Sequence, residues 1–156
     1  MPKDNSVSYR AVIDTNIFVS MLFGKRIKTT ILELVDQQRF ILITSSAQIE
    51  ELRRVLARPH ITAKASESDL LRLINTLSQG AEQIVPAVEL QLCRDKKDNY
   101  LLDIAATAHA DFLVTGDKDM LDDAVLKATM LDEYSVAVVT VVAFLQKLDV
   151  KDAFSP

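Results

Sequence analysis

The chain has 156 residues, 49 % of them hydrophobic, and a formal net charge of −4 at pH 7. This length and apolar content are enough for the core of one ordinary domain without disulfides or a structural metal. The single cysteine excludes an internal disulfide and favours a cytoplasmic protein, and the acidic balance does not exclude nucleic-acid binding because bound divalent metal would neutralise an acidic cluster.

Five apolar, β-branched runs alternate with helical patterns along the chain. The predicted strands cover residues 10–14, 40–44, 83–88, 111–115 and 135–139. The predicted helices cover residues 17–22, 29–37, 47–56, 67–79, 98–110, 119–126 and 141–148. This alternation predicts a mostly parallel sheet of about five strands with helices on both faces. We expect one domain over residues 9–148, with tails at residues 1–8 and 149–156.

Two classes of protein are disfavoured by what the sequence lacks. The longest apolar stretch, residues 136–145, is far shorter than the roughly 20 residues that a membrane span needs, and the first residues lack the apolar stretch of a signal peptide. The only glycines are Gly24, Gly80 and Gly116, which are too few and too widely spaced for a glycine-rich phosphate loop. We therefore expect neither a membrane protein nor a nucleotide cofactor.

Two of the predicted strands lead directly to a carboxylate. Asp14 ends the first strand, and Asp117 comes two residues after the fourth. Because ligands bind at the C-terminal strand ends of open α/β sheets, we expect the two carboxylates at one site. Each could instead cap the helix that follows it. Thr15 or Asn16 could supply the first cap and leave Asp14 for a ligand, and Asp119 competes with Asp117 both for the second cap and as the ligand.

The helix predicted over residues 98–110 carries one acid on its apolar face. At about 100° per residue, the centre of that face lies within roughly 40° of Asp98, whereas Asp103 points to the opposite side. A carboxylate on a buried face is costly unless it is paired or binds a metal. We therefore expect Asp98 to be functional and Asp103 to face water, with Asp95 as a weaker candidate.

The helix predicted over residues 47–56 supplies a fourth acid. Glu51 lies roughly 110° from the centre of the apolar face and Glu50 roughly 150°, so Glu51 is the one at the edge of a cleft. Both could also be surface charges. The resulting set offers only oxygen ligands, which suits Mg²⁺ or Mn²⁺ rather than zinc, and such ions can activate water at a phosphodiester.

Four segments of the chain resemble, in order, the motifs of the PIN-domain ribonucleases, specifically their small single-domain prokaryotic branch classed with the toxins of toxin–antitoxin pairs. The segments are residues 12–16, 46–59, 95–99 and 113–119. The last of them is the most specific. No single segment would suffice, and the order and spacing of all four support the resemblance.

The resemblance implies a three-layer α/β/α fold and metal-dependent endonucleolytic cleavage of single-stranded RNA. Carried onto this sequence, the family's acidic positions are Asp14, Glu51, Asp98 and Asp117, and its supporting polar positions are Asn16, Thr115 and Asp119. The implied cofactor is Mg²⁺ or Mn²⁺ and the implied partner is RNA. Analogy with the family adds a homodimer, and the sequence leaves open whether an antitoxin partner exists.

Basic residues near these acids in the sequence are candidates for holding RNA phosphates. They are Lys25, Arg26, Lys28, Arg53, Arg54, Arg58, Lys96 and Lys97. Any one of them could equally be an ordinary solvated charge. Aromatic residues are few and tryptophan is absent, so extensive base stacking is not indicated.

Two other functions would also use acids at the strand ends. A phosphoaspartate receiver would need paired acids at the first strand and a lysine at the end of the last. A phosphatase with an Asp-x-Asp nucleophile pair would need an acid where Asn16 stands. Neither requirement is met. The remaining alternative is a PIN fold without nuclease activity that binds a protein, and the presence of all four acids argues against it.

Overall fold

The computed structural model describes residues 8–150, apart from the side chains of residues 25–30. Its centre is a five-stranded sheet in which every pairing is parallel. The strands are β1 (Arg10–Ile13), β2 (Ile41–Thr44), β3 (Glu82–Gln83), β4 (Phe112–Val114) and β5 (Ala137–Val139). The predicted parallel sheet of about five strands is confirmed. Most residues of the predicted tails lie outside the described range, so the domain limits stay a prediction.

Helices connect the strands and cover both faces of the sheet. They are α1 (Thr15–Met21), α2 (Lys25–Asp36), α3 (Ser46–Leu56), α4 (Pro59–Thr62), α5 (Glu67–Gln79), α6 (Asn99–Thr107), α7 (Lys118–Leu121), α8 (Ala124–Tyr134) and α9 (Val141–Lys147). A single 3₁₀ turn, Lys96–Asp98, leads directly into α6. In the part of the chain that the structure describes, no helix has both the length and the apolar composition that a membrane span requires.

The side chains of β1 show how the two faces are used. Ala11 and Ile13 are fully buried in one apolar cluster, and Val12, which points the other way, is fully buried in a second. The first cluster contains residues of α1 to α5 and α9, and the second contains residues of α6, α7 and α8. The expected three-layer α/β/α arrangement is therefore confirmed.

The strand order explains where the site forms. The strands lie in the order β3-β2-β1-β4-β5, so the chain first moves outward from β1 to β3 and then returns to build β4 on the other side of β1. Ligand crevices of open α/β sheets form at such a reversal, outside the carboxyl ends of the two central strands. Ile13 pairs with Val114, and Asp14 and Asp117 follow these two strand ends.

The structure differs from the predicted elements in three places. The strand expected at residues 83–88 is only two residues long, because beyond Ile84 the chain bonds to side chains of α6, through the N–H groups of Ala87, Leu90, Leu92 and Cys93, instead of extending the sheet. The helix expected at residues 119–126 is two helices, because Asp123 caps α8 by accepting the N–H of Leu126 at 3.0 Å. The short helix α4, which has Pro59 in its first turn, was not predicted.

Candidate metal centre

Asp14 lies at the end of β1 with only 6 % of its surface exposed. Its Oδ1 accepts the N–H of Asn16 at 3.1 Å, so Asp14 itself caps α1 and neither Thr15 nor Asn16 does. Its Oδ2 accepts the hydroxyl of Thr115 at 2.7 Å. The Thr115 oxygen in turn accepts the N–H of Asp117 at 3.0 Å, which ties the end of β1 to the loop after β4.

Asp117 caps α7, and Asp119 does not compete for that position. The Oδ1 of Asp117 accepts the N–H of Asp119 at 2.9 Å. The Asp119 side chain is 53 % exposed and faces Arg94, with 3.7 Å between its Oδ1 and the arginine Nη1. Asp117 borders the acidic cavity described next, so the geometry favours it over Asp119 as a ligand.

Asp98 is half-buried at the junction of the 3₁₀ turn and α6, and its side chain makes no capping hydrogen bond. It borders a cavity of about 590 Å³, called here the acidic cavity, together with Asn16, Asp95 and Asp117. Burial raises the pKa of Asp98 to about 6, and the charges of Asp95, Asp14 and Asp117 add to the rise. The helical-face argument for Asp98 thus agrees with its surroundings.

Glu51 is half-buried on α3, whereas its neighbour Glu50 is exposed, as the helical geometry predicts. The Glu51 Oε2 accepts the hydroxyl of Tyr100 at 2.6 Å. The same hydroxyl lies 3.0 Å from the Oγ1 of Thr15. Burial and the bond to Glu51 raise the pKa of Tyr100, so its hydroxyl keeps its proton and orients the carboxylate.

The four carboxylates influence one another electrostatically. Burial raises the pKa of Asp14, hydrogen bonds from Thr115 and Asn16 oppose the rise, and the charges of Asp117 and Glu51 add to it. Among the described residues, the ion pairs of lysines and arginines go to other acids, namely Asp36, Glu82, Asp95 and Asp119. The charge of Lys97 opposes the rise in the pKa of Asp98 without cancelling it, and none of the four acids has an ion pair among the described residues.

This donor set fits a hard divalent cation in its chemistry. All ligands are oxygens, and a buried carboxylate without a cationic partner is stabilised by a bound metal. No three His, Cys, Asp or Glu side chains within the described residues stand as a group that could hold an ion in their present positions. Asp14 is fixed by its two hydrogen bonds, so the half-buried Glu51, Asp98 and Asp117 would have to turn toward an ion bound there.

Sequence reasoning missed the buried polar network beneath the site. Gln48 of α3 is fully buried; its Nε2 donates to the carbonyl of Ile13 at 2.7 Å, and its Oε1 accepts the hydroxyl of Thr44 at 2.6 Å. These bonds join the ends of β1 and β2 to α3. The signal was present in the sequence, since Gln48 stands one turn before Leu52 on the apolar face of the helix.

Asp103 does not face water, which contradicts the prediction from the helical face. Its Oδ1 accepts the N–H of Leu90 at 2.7 Å. The segment of residues 84–95, called here the strap, lies along α6, and burial beneath it raises the pKa of Asp103. The prediction failed because the strap covers the face of α6 opposite the core, and nothing in the helix pattern indicates that cover.

The basic residues proposed to bind RNA differ in where the structure places their side chains. The side chains of Lys25, Arg26 and Lys28 lie outside the described residues. Arg53, Arg54, Arg58 and Lys96 are exposed. Lys97 borders the acidic cavity and lies 3.7 Å from Asp95. Lys118, which the sequence argument did not select, borders the same cavity. The RNA-binding roles of all these residues stay predictions.

Fold and site together define a three-layer α/β/α domain with a carboxylate cluster at the carboxyl edge of its sheet. A family model described as "PIN domain" matches residues 10–119, more than half of the chain, and this range contains all four acids. The chain belongs to the PIN-domain family, whose members are in general nucleases that use divalent metals.

A protein of Methanocaldococcus jannaschii that bears the name "Uncharacterized protein MJ1680" is 28 % identical to this chain over 123 residues, which make up 78 % of this chain and 79 % of that protein. No solved structure matches the chain at a significant level.

Proposed function

We propose that this protein is a metal-dependent endoribonuclease that cleaves phosphodiester bonds of single-stranded RNA. The observation that carries the proposal is the position of Asp14. Asp14 is buried at the reversal of strand order, and the charges of Asp117 and Glu51 add to the rise in its pKa. It has no cationic partner among the described residues. A PIN domain with a buried carboxylate that lacks a cationic partner is suited to divalent-metal hydrolysis.

The residues proposed to hold the metal are Asp14, Glu51, Asp98 and Asp117. When bound there, Mg²⁺ or Mn²⁺ supplies positive charge at the scissile phosphate and lowers the pKa of water. Thr115 fixes one carboxylate oxygen of Asp14, and Tyr100 fixes one of Glu51. Asn16, Lys97 and Lys118 border the acidic cavity and are proposed to bind phosphate oxygens of the RNA.

The family resemblance supports a further proposal about the biological role of the protein. A small PIN domain of this kind is proposed to act as the toxin of a toxin–antitoxin pair, with an antitoxin protein as its partner. A homodimer and a cytoplasmic location are proposed on the same basis.

The test is cleavage of end-labelled single-stranded RNA of mixed sequence by the purified full chain, with Mg²⁺ or Mn²⁺ and with a chelator. Cleavage is expected with metal and none with the chelator. Glu51→Gln is expected to lower kcat/KM by about 100-fold or more, because even residues that only orient metal ligands are worth about 10–100-fold. Asp14→Asn and Asp98→Asn are expected to abolish cleavage.

The control variant is Glu50→Gln, one residue away on α3 and exposed. It is expected to cleave within about twofold of the unaltered chain, since a surface substitution away from the site has little effect. Circular dichroism melting checks that each variant folds. Unchanged cleavage in a variant removes that residue from the mechanism, and no cleavage of any RNA with either metal supports a protein-binding module instead.

A further inference from the structure

A second cavity, with different chemistry, adjoins the acidic cavity. It has a volume of about 310 Å³ and lies between α1 and the beginning of α9. Ile17, Ser20 and Gly116 border both cavities. The second one, called here the apolar cavity, is therefore reached from the place where the carboxylates lie.

The walls of the apolar cavity are aliphatic. Ile17 and Met21 come from α1, and Val141 and Val142 come from α9. The hydroxyls at its border are already engaged, because Ser20 donates to the carbonyl of Asn16 at 2.7 Å and Thr140 accepts the N–H of Ala143 at 3.1 Å. Among the described residues, no charged one lines it. An occupant is therefore held by shape and apolar contact rather than by charge.

Gly116 stands at the boundary between the two cavities, and its size keeps that boundary open. A Cβ built on Gly116 meets no atom within 4 Å, and its φ is not positive. The fold thus does not require glycine here for conformation or for close packing. A larger side chain would project into the open space at the boundary of the two cavities.

We propose that the apolar cavity binds the base of the nucleotide next to the scissile phosphate, with Gly116 and Val142 as residues that determine base preference. This inference rests on the proposed nuclease function. A base is a compact group with apolar faces that is joined to a phosphate through a sugar, so one nucleotide can extend from one cavity into the other. The volume is at the small end of the range for ligand cavities, about 300–1,000 Å³, as expected for one ring system.

The first test does not depend on cleavage. Methyl resonances of Met21, Val141 and Val142 in the full chain are followed by NMR while each of the four ribonucleoside 5′-monophosphates is added with Mg²⁺. These resonances are expected to shift, whereas that of Val125, which is 71 % exposed on α8, is not. Ribose 5-phosphate, which lacks a base, is expected to leave all of them in place. Equal shifts with ribose 5-phosphate, or none with any nucleotide, would overturn the proposal.

The second test uses cleavage of short RNAs in which the nucleotide on either side of the scissile phosphate is made abasic. Removing the base that occupies the cavity is expected to lower kcat/KM by about 10–100-fold, the discrimination that an apolar pocket provides. Val142→Phe fills the cavity and is expected to abolish this difference and change which bases flank the cleaved bond. Val125→Phe, at another exposed helical valine, is the matched control and is expected to cleave like the unaltered chain.

Gly116→Ala provides a second variant if Val142→Phe does not fold, and it is expected to change base preference in the same direction. Methyl shifts without RNA cleavage would reject the nuclease function but keep the cavity as a base-binding site. Cleavage without methyl shifts and without any abasic effect would reject the base-binding site alone. Methyl shifts with an apolar peptide but with no nucleotide would reject it in favour of a protein partner.

Discussion

At the scale of single residues, the carboxylates are positioned by side chains that are neutral. The hydroxyl of Tyr100 joins Glu51 of α3 to Thr15 of α1, and the hydroxyl of Thr115 joins Asp14 to the loop that carries Asp117. Glu51 retains its second oxygen for a ligand, whereas both oxygens of Asp14 accept a hydrogen bond and each keeps one lone pair for a ligand. Orienting groups of this kind account for much of the affinity of metal sites.

Tyr100→Phe tests this positioning role. Loss of the hydroxyl frees Glu51, so we expect kcat to fall by about 10–100-fold with little change in KM, together with weaker Mn²⁺ binding. The melting temperature of the variant checks that the fold is intact. Tyr134→Phe, at a half-buried tyrosine on α8, is the control and is expected to keep full activity. Equal kcat in the two variants would show that Tyr100 only packs.

The raised pKa of Asp98 predicts a pH dependence of stability in the metal-free protein. Its pKa is about 6 in the folded chain against an ordinary value of 3.8. Between these values the folded state holds a proton that the unfolded state has released, so the free energy of unfolding falls as pH rises. Asp98→Asn lacks this effect.

The melting temperature of the unaltered chain, taken relative to Asp98→Asn, is therefore expected to fall between pH 4 and pH 7. Because Asp98 is only half-buried, the effect is discounted for solvent screening to about 1 kcal/mol, or about 2–4 °C. Added Mg²⁺ should remove most of it. A difference that stays constant over this pH range would show that burial and neighbouring charges do not act on Asp98 as described.

At the scale of elements, the strap is held to α6 by a stripe of side chains spaced four residues apart. Thr107 accepts the N–H of Ala87 at 2.9 Å, and Asn99 accepts those of Leu92 at 3.1 Å and Cys93 at 2.8 Å. Asp103 lies between them on the helix. Beyond Ile84, whose N–H donates to the carbonyl of Thr44 at 3.0 Å, these bonds replace sheet pairing, and they lead the chain into the 3₁₀ turn that carries Asp98.

Asn99→Ala removes the acceptor for two backbone N–H groups. We expect a loss of about 1–2 kcal/mol in the free energy of unfolding, since unpaired donors are costly but water reaches part of this segment. Amide hydrogen exchange at Leu92 and Cys93 is expected to accelerate. Thr107→Val, at the other end of the stripe, should leave those two amides slow. Unchanged exchange in Asn99→Ala would mean that the apolar contacts of the strap hold it without the stripe.

The strands and helices also differ in how well the sequence predicts them. Apolar runs such as residues 111–115 predict the strands β1, β2, β4 and β5 because these strands are short and largely buried. The strand β3 has only two paired residues, so it gives almost no pattern. In α8 the apolar residues Val125 and Leu131 are exposed while Leu126 and Met130 are buried, so the helix has no clear apolar stripe.

At the scale of the whole molecule, the site depends on contacts between distant parts of the chain. The four acids could be chosen as candidates from the sequence, because strand ends and helix faces are local properties of the sequence. The bonds that orient them join residues 49 and 101 positions apart, Tyr100 to Glu51 and Thr115 to Asp14. No spacing rule links such pairs, and only the strand order brings them together.

The central claim is that Asp14, Glu51, Asp98 and Asp117 bind one divalent metal centre. The most direct measurement is anomalous diffraction at the manganese edge from crystals of the full chain soaked in Mn²⁺. The account predicts anomalous density about 2.1 Å from carboxylate oxygens of at least three of these residues, and its loss in Asp98→Asn crystals. Density only elsewhere in the molecule, or none at these carboxylates, would contradict the account.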